Sequence, residues 1–112
     1  MSSQAGGGRT ARFVVMWETP SDPEAFDRHY RETHIPIARK LPGLRRYTLG
    51  RDVSPVRGEP YYMVADLEWD SMEELRAAFA SEAGRAAGAD VELLRRLATV
   101  RSMIISTEDD VL

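Results

Sequence analysis

The order of strand-like and helix-like segments is the feature that most constrains the fold of this chain. β-Strands are predicted in four segments, residues 12–18, 44–51, 61–69 and 99–107, in which side chains at alternate positions share a face. Helical periodicity occupies the space between the first and second segments and between the third and fourth. This β-α-β-β-α-β order predicts an α+β, ferredoxin-like fold, in which the helices cover one face of an antiparallel sheet.

Both helical regions carry start and stop signals. The first begins at a capping box formed by Ser21 and Glu24, or alternatively at Asp22 with a proline in the first turn, and it ends at Pro42 and Gly43. The second begins at residues 71–74, another capping box. Residues 81–88 break its pattern, and Asp90 is expected to cap a further turn or two over 90–97.

The first strand is apolar on both faces. Phe13, Val15 and Trp17 share one face, while Val14 and Met16 share the other. Helices in this fold cover only one face of the sheet, so the second apolar face needs another cover. We therefore expect a homodimer in which two sheets pack face to face and form a dimeric α/β barrel.

Composition excludes several classes of function. The 112 residues fit one domain, and we expect 1–10 to be a disordered lead-in, 11–108 a single domain and 109–112 a tail. A net charge of -3 argues against nucleic-acid binding. The absence of cysteine excludes disulfides, thiolate catalysis and Cys-ligated metals. No apolar run is long enough to span a bilayer, so we expect a cytoplasmic protein without a membrane partner.

Both histidines lie in residues 26–47, within the first helical region. Pro36 cannot donate to the carbonyl of Glu32, so the helix is expected to kink or restart there. The inward stripe of this helix is predicted at about 100° per residue. It comprises Phe26, Tyr30, Thr33, His34, Ile37 and Leu41.

His34 is the leading candidate for a catalytic residue, as a general acid or base beside the helix irregularity. Tyr30 lies one turn earlier on the same face, and Tyr47 arrives on the next strand; both hydroxyls are predicted to orient a substrate. The predicted apolar substrate pocket comprises Phe26, Trp17, Met63 and Ile37. The alternative is that His34 is a core histidine bonded to a carbonyl freed by Pro36, and the residues alone do not separate the two.

Other candidates carry weaker signals. His29 lies at the edge of the stripe and is expected at the surface or at an interface. A metal site formed by His29 and His34 is not expected, because helical metal pairs are usually three or four residues apart. Asp66 and Glu68 alternate on one strand face, and pairing with arginines is favoured over acid–base catalysis.

The chain resembles the EthD family of dimeric α/β-barrel proteins. The resemblance is carried by HYRETHIPIARKLPGLRRY and SMEELRAAFASEAGRAAGAD and spans residues 13–105. Its most specific elements are Tyr30, His34 and the LPGL turn at 41–44, and SEAG at 81–84 matches the family's connection between helices. The resemblance implies a ferredoxin-like subunit, a homodimer and a small apolar pocket near the helix–sheet junction.

The resemblance leaves the reaction open. The founding member is associated with bacterial degradation of ethyl tert-butyl ether, beside a cytochrome monooxygenase. The wider superfamily includes cofactor-free monooxygenases, polyketide cyclases, lactone isomerases and haem enzymes.

We therefore expect an enzyme that acts on an apolar or aromatic substrate without a tightly bound cofactor. Its His34 would take protons from the substrate or return them. The enzyme would be a cyclase, an isomerase or a cofactor-free oxygenase. The alternative is a non-catalytic accessory protein that binds a small molecule for a monooxygenase. Haem ligation by His34 or His29 ranks third.

Overall fold

The computed structural model describes residues 9–108, so residues 1–8 of the expected lead-in and the expected tail lie outside the described residues. Its elements are β1 (Ala11–Trp17), α1 (Pro23–His29), a π-helical turn (Tyr30–His34), α2 (Ile35–Ala38), β2 (Arg46–Gly50), β3 (Met63–Trp69), α3 (Met72–Ala80), α4 (Glu82–Leu94) and β4 (Val100–Ser106). The strands form one antiparallel sheet in the order β2-β3-β1-β4. The predicted ferredoxin-like α+β fold is confirmed.

The strand register sends one apolar face of the sheet toward the helices. β1 pairs with β3 from Ala11 opposite Trp69 to Trp17 opposite Met63, and with β4 along its other edge. Alternate residues of β1 and β3 are therefore buried against the helices, as the period of two requires. Burying each large apolar side chain stabilises the fold by roughly 1.5–3 kcal/mol.

The opposite face of the sheet carries no helix of the described chain. Val14, Met16 and Val64 are half-buried there, and Met103 is 48% exposed. Asp66 accepts both hydrogen bonds of an ion pair with the guanidinium of Arg12, across β1 and β3. This face is thus apolar with a charged pair in it, and the second copy expected to cover it stays a prediction.

The LPGL turn joins the first helical region to β2 through a close backbone contact. Gly43 has φ +75°, which a residue with a side chain adopts only with strain. An added Cβ at Gly43 would lie 3.2 Å from the Trp69 ring. The Trp69 indole N–H donates to the carbonyl oxygen of Pro42 at 2.8 Å, which locks the turn onto the end of β3.

The predicted irregularity near Pro36 takes the form of a π turn. The Ile35 N–H donates to the carbonyl of Tyr30, five residues back, and α2 then restarts with Pro36 in its first turn. The wider turn rotates the inward face by one residue. Ala38 is therefore buried, while Thr33 is exposed and Ile37 only half-buried; the expected stripe was wrong at Thr33.

The predicted break at residues 81–88 is present at Ser81, which separates α3 from α4, but the prediction was wrong for residues 82–88. α4 runs through this segment as one helix, and the Ser81 hydroxyl caps it by accepting the Gly84 N–H at 3.1 Å. Asp90 is therefore not a helix cap but lies in the third turn of α4, with 5% of its surface exposed. Gly84 and Gly88 lower the helix propensity of this segment, but the packing of α4 overrides that preference. Within residues 9–108, no helix has the length and apolar character needed to cross a membrane.

Candidate active site

A cavity of about 270 Å³ lies between the sheet and the helices. Its floor includes Val15, Trp17 and Ala65 of the sheet, and its roof includes Val91 of α4. Most of the lining is apolar. His34, Tyr30 and Tyr47 also line this cavity, so the three residues predicted to act together share one cavity.

His34 is held by a buried carboxylate. It lies at the end of the π turn with 7% of its surface exposed, and its Nδ1 is 2.8 Å from Oδ2 of Asp90. A carboxylate only accepts hydrogen bonds, so the imidazole proton lies on Nδ1 and Nε2 becomes the basic atom. The alternative was a core histidine bonded to a backbone carbonyl freed by Pro36, but the partner of His34 Nδ1 is the side-chain carboxylate of Asp90.

Burial sets the charge state of His34. Desolvation lowers the pKa of His34 below its usual value, while the hydrogen bond and the charge of Asp90 act in the opposite direction. The net lowering favours the neutral ring near neutral pH. A neutral imidazole whose Nδ1–H is fixed by a carboxylate has the form required of a general base.

His29 contacts the same carboxylate from the other side. Its Nε2 is 2.8 Å from Oδ1 of Asp90, and its side chain is 30% exposed. On a regular α-helix a spacing of five separates two side chains, but the π turn brings His29 and His34 onto one acceptor. His29 is therefore a partner of the site as well as a partly exposed residue. Among residues 9–108, no group of three or more His, Cys, Asp or Glu side chains is arranged to hold a metal ion.

Tyr30 and Tyr47 form a hydroxyl pair. Their oxygens are 2.6 Å apart, and the Tyr30 ring centroid lies 5.0 Å from that of His34. Burial raises the pKa of both phenols, so both keep their protons over the physiological range. One hydroxyl donates to the other, and the second proton remains for an oxygen atom of a bound molecule.

The predicted pocket residues are divided between cavity and core. Trp17 lines the cavity, whereas Phe26, Met63 and Ile37 do not. Phe26 is fully buried against Trp17, with ring centroids 5.2 Å apart, and Met63 is fully buried in the core. The shift of the helical face at the π turn places Ala38 in the lining instead of Ile37.

Asp90 is the residue that sequence reasoning missed. It lies four residues before the buried Leu94, on the inward face of α4. An acidic residue in the apolar stripe of a helix signals a buried polar partner, but this signal is visible only once α4 is recognised as one helix. Among the lining residues, Gly88 was also not predicted.

Comparison with known proteins agrees with this structure. A model of the EthD domain matches residues 18–94. An uncharacterized 11.0 kDa protein of the thcB–thcC intergenic region of Rhodococcus erythropolis is 38% identical over 82 residues, covering 71% of this chain and 79% of that protein.

Two solved structures are similar over nearly their whole length. An ethyl tert-butyl ether d (EthD) family protein from Bacillus halodurans is 33% identical with a TM-score of 0.72, covering 84% of this chain and 96% of the other. SnoaB from Streptomyces nogalater, a cofactor-independent oxygenase, is 20% identical with a TM-score of 0.66, covering 93% of this chain and 98% of the other. At that identity the likeness to SnoaB concerns the fold alone.

Proposed function

This chain belongs to the EthD domain family, and on that premise we propose that it is a small-molecule enzyme whose general base is His34. Its substrate is a small, largely apolar molecule with an acidic proton and an oxygen that accepts the resulting charge. The observation that carries this proposal is a buried imidazole that lines an apolar cavity and is hydrogen-bonded to Asp90. Burial lowers the pKa of His34, which favours the neutral ring that a general base requires.

The first step of the proposed reaction follows from these groups. Nε2 of His34 takes a proton from a carbon next to a carbonyl group, or from a phenol. The electron pair moves to the substrate oxygen, which accepts a hydrogen bond from the hydroxyl pair of Tyr30 and Tyr47. The imidazolium that forms is stabilised by the carboxylate of Asp90.

Such proton removal begins several reactions on this fold. Return of the proton at another carbon is an isomerisation, and attack of the carbanion on a second carbonyl is a ring closure. Attack on dioxygen is an oxygenation, and the fold shared with the cofactor-independent oxygenase SnoaB supports including this class. Each of these reactions requires one base and one oxyanion site, without a tightly bound cofactor.

Proton exchange on a model ketone tests the proposal without knowledge of the natural substrate. β-Tetralone is a flat, bicyclic ketone with acidic C–H bonds next to its carbonyl. We expect the protein in deuterated buffer to accelerate exchange of these protons, followed by proton NMR, beyond the rate in buffer of equal pH. Binding of β-tetralone without accelerated exchange would contradict the enzyme and favour the non-catalytic accessory protein.

The uncovered sheet face supports the proposal of a homodimer. Proteins of the same fold from Thermobifida fusca and Bacteroides fragilis are described as dimeric. In this chain Val14, Met16 and Val64 lie on that face, around the exposed Met103. A second copy would bury these side chains sheet against sheet.

Substitution at Met103 tests the dimer. We expect light scattering at micromolar concentration to give twice the 12.6 kDa chain mass for the wild type and a monomer for Met103→Glu, because a charge would be buried at the interface. Leu93→Glu is the matched control, since Leu93 is 45% exposed on α4, away from that face. A monomeric wild type, or a Met103→Glu variant that stays dimeric, would contradict the proposed interface.

A further inference from the structure

α4 contains two glycines, Gly84 and Gly88, and their surroundings differ. At Gly84 an added Cβ would lie 2.3 Å from the carbonyl oxygen of Ala78 and 2.4 Å from that of Phe79. Only glycine fits there, because α3 and α4 meet at close range. At Gly88 an added Cβ would meet nothing within 4 Å. Packing therefore requires glycine at residue 84 and gives no reason for glycine at residue 88.

Glycine at residue 88 lowers the stability of helix α4, and no packing contact at this residue compensates for the loss. A glycine in the interior of a helix is less favourable than alanine by about 1 kcal/mol. Gly88 has an ordinary negative φ, unlike Gly43 and Gly58, so backbone conformation does not demand it either. The remaining distinction of Gly88 is its position, since it lines the cavity and is exposed to solvent.

The neighbours of Gly88 show that the cavity reaches the surface at this point. Glu92, one turn further along α4, and Ser102, on the edge strand β4, line the cavity and are exposed as well. Tyr30 and His34, which also line it, are buried. The cavity therefore runs from an open end between α4 and β4 to a closed end at Tyr30 and His34.

We infer that Gly88 forms the aperture of this cavity and that the absence of a side chain there determines the width of the molecules admitted. Phe79, which is 36% exposed, contributes an aromatic ring to the same lining. A cavity lined by a bare stretch of helix backbone and an aromatic ring suits a flat, ring-containing molecule. The nature of that molecule rests on the proposed function, whereas the aperture is a property of the cavity itself.

Thiol labelling measures access to the cavity without any substrate. The chain has no cysteine, so Ala65→Cys provides a single thiol on the cavity floor, where Ala65 is 1% exposed. The rate of its reaction with a small methanethiosulfonate reagent is measured in three backgrounds: Gly88 unchanged, Gly88→Leu and Ala89→Leu. Ala89 is the matched control, since it is the next residue of α4, exposed and outside the lining.

We expect Gly88→Leu to slow the labelling by about tenfold or more and Ala89→Leu to leave it within about twofold, because only the first narrows the opening. Labelling rates that do not change in low urea show that the reagent enters the folded protein and does not wait for unfolding. Ser102→Cys at the open end checks the reagent, since its labelling is expected to be fast in all three backgrounds.

Equal labelling rates in the Gly88→Leu and unchanged backgrounds would contradict the inference that Gly88 forms the aperture. A thiol at residue 65 that reacts in none of the backgrounds would overturn it too, since the cavity would then be closed to solvent. Titration with α-naphthol separates the aperture from the proposed function. If labelling depends on residue 88 but α-naphthol and β-tetralone do not bind, the aperture stands and the proposed ligand class fails.

Discussion

His34→Gln is expected to lower the protein-dependent rate of β-tetralone proton exchange by about 10²–10⁴-fold, the usual contribution of a general base. Glutamine fits the volume of the ring and keeps a polar end near Asp90, but it has no basic nitrogen at neutral pH. The loss is therefore expected in the rate of exchange, whereas binding of β-tetralone changes little. Exchange is followed by proton NMR and binding by calorimetry.

Two further variants make the His34 experiment specific. Tyr62→Phe removes the hydroxyl that donates to Asp27 at 2.8 Å, outside the cavity, and is expected to leave exchange unchanged. Tyr30→Phe removes one member of the hydroxyl pair inside the cavity and is expected to slow exchange by weakening the site for the substrate oxygen. Unchanged exchange in His34→Gln, with the fold intact by circular dichroism, would remove His34 from the proposed mechanism.

The fold was predictable because its signals are local and repeated. In β3 the alternate residues Met63, Ala65, Leu67 and Trp69 are all apolar, which indicates the face that is buried. Asp22, the alternative start, caps the first helical region, Ser71 caps α3, and Pro42–Gly43 form the turn that follows the first helical region. Several independent local preferences thus agree with one topology, as they do in foldable sequences.

The candidate site was less predictable because it depends on a single extra residue in a helix turn. Pro36 predicted an irregularity in the helix, because proline has no backbone N–H to donate. Neither the type of the irregularity nor its position follows from that missing donor. The π turn moved Ile37 out of the inward face and brought His29 and His34 onto one carboxylate. A rule based on 100° per residue fails beyond such a turn.

Asp90 was missed for a different reason. Gly84 and Gly88 have low helix propensity, and the sequence analysis therefore predicted that the helix breaks at these residues. The structure shows that Gly84 permits close contact between α3 and α4 and that α4 continues through both. The candidate site thus depends on tertiary packing, which brings residues 56 positions apart into contact.

Asp90→Asn is expected to shift the protonation of His34 to lower pH and to slow β-tetralone exchange on the order of 10²-fold. The charge and hydrogen bond of Asp90 raise the pKa of His34 against the larger lowering by burial. Without the negative charge, the imidazolium formed in the reaction loses its counter-ion. An asparagine amide can also donate to Nδ1, which would place the imidazole proton on Nε2 and remove the base.

Histidine NMR distinguishes this positioning role from a purely structural one. The chain has two histidines, so titration of their ring protons in wild type and in His29→Gln assigns each signal. We expect the His34 midpoint to move down in Asp90→Asn, and the nitrogen shifts to show loss of the Nδ1–H form.

Because the pKa of folded His34 is already lowered, its contribution to stability is present above the unfolded value near 6.5 and is lost on acidification. In Asp90→Asn this loss extends to lower pH, and urea unfolding at several pH values measures it. A His34 midpoint and tautomer that stay unchanged, with exchange preserved, would show that Asp90 does not orient the base.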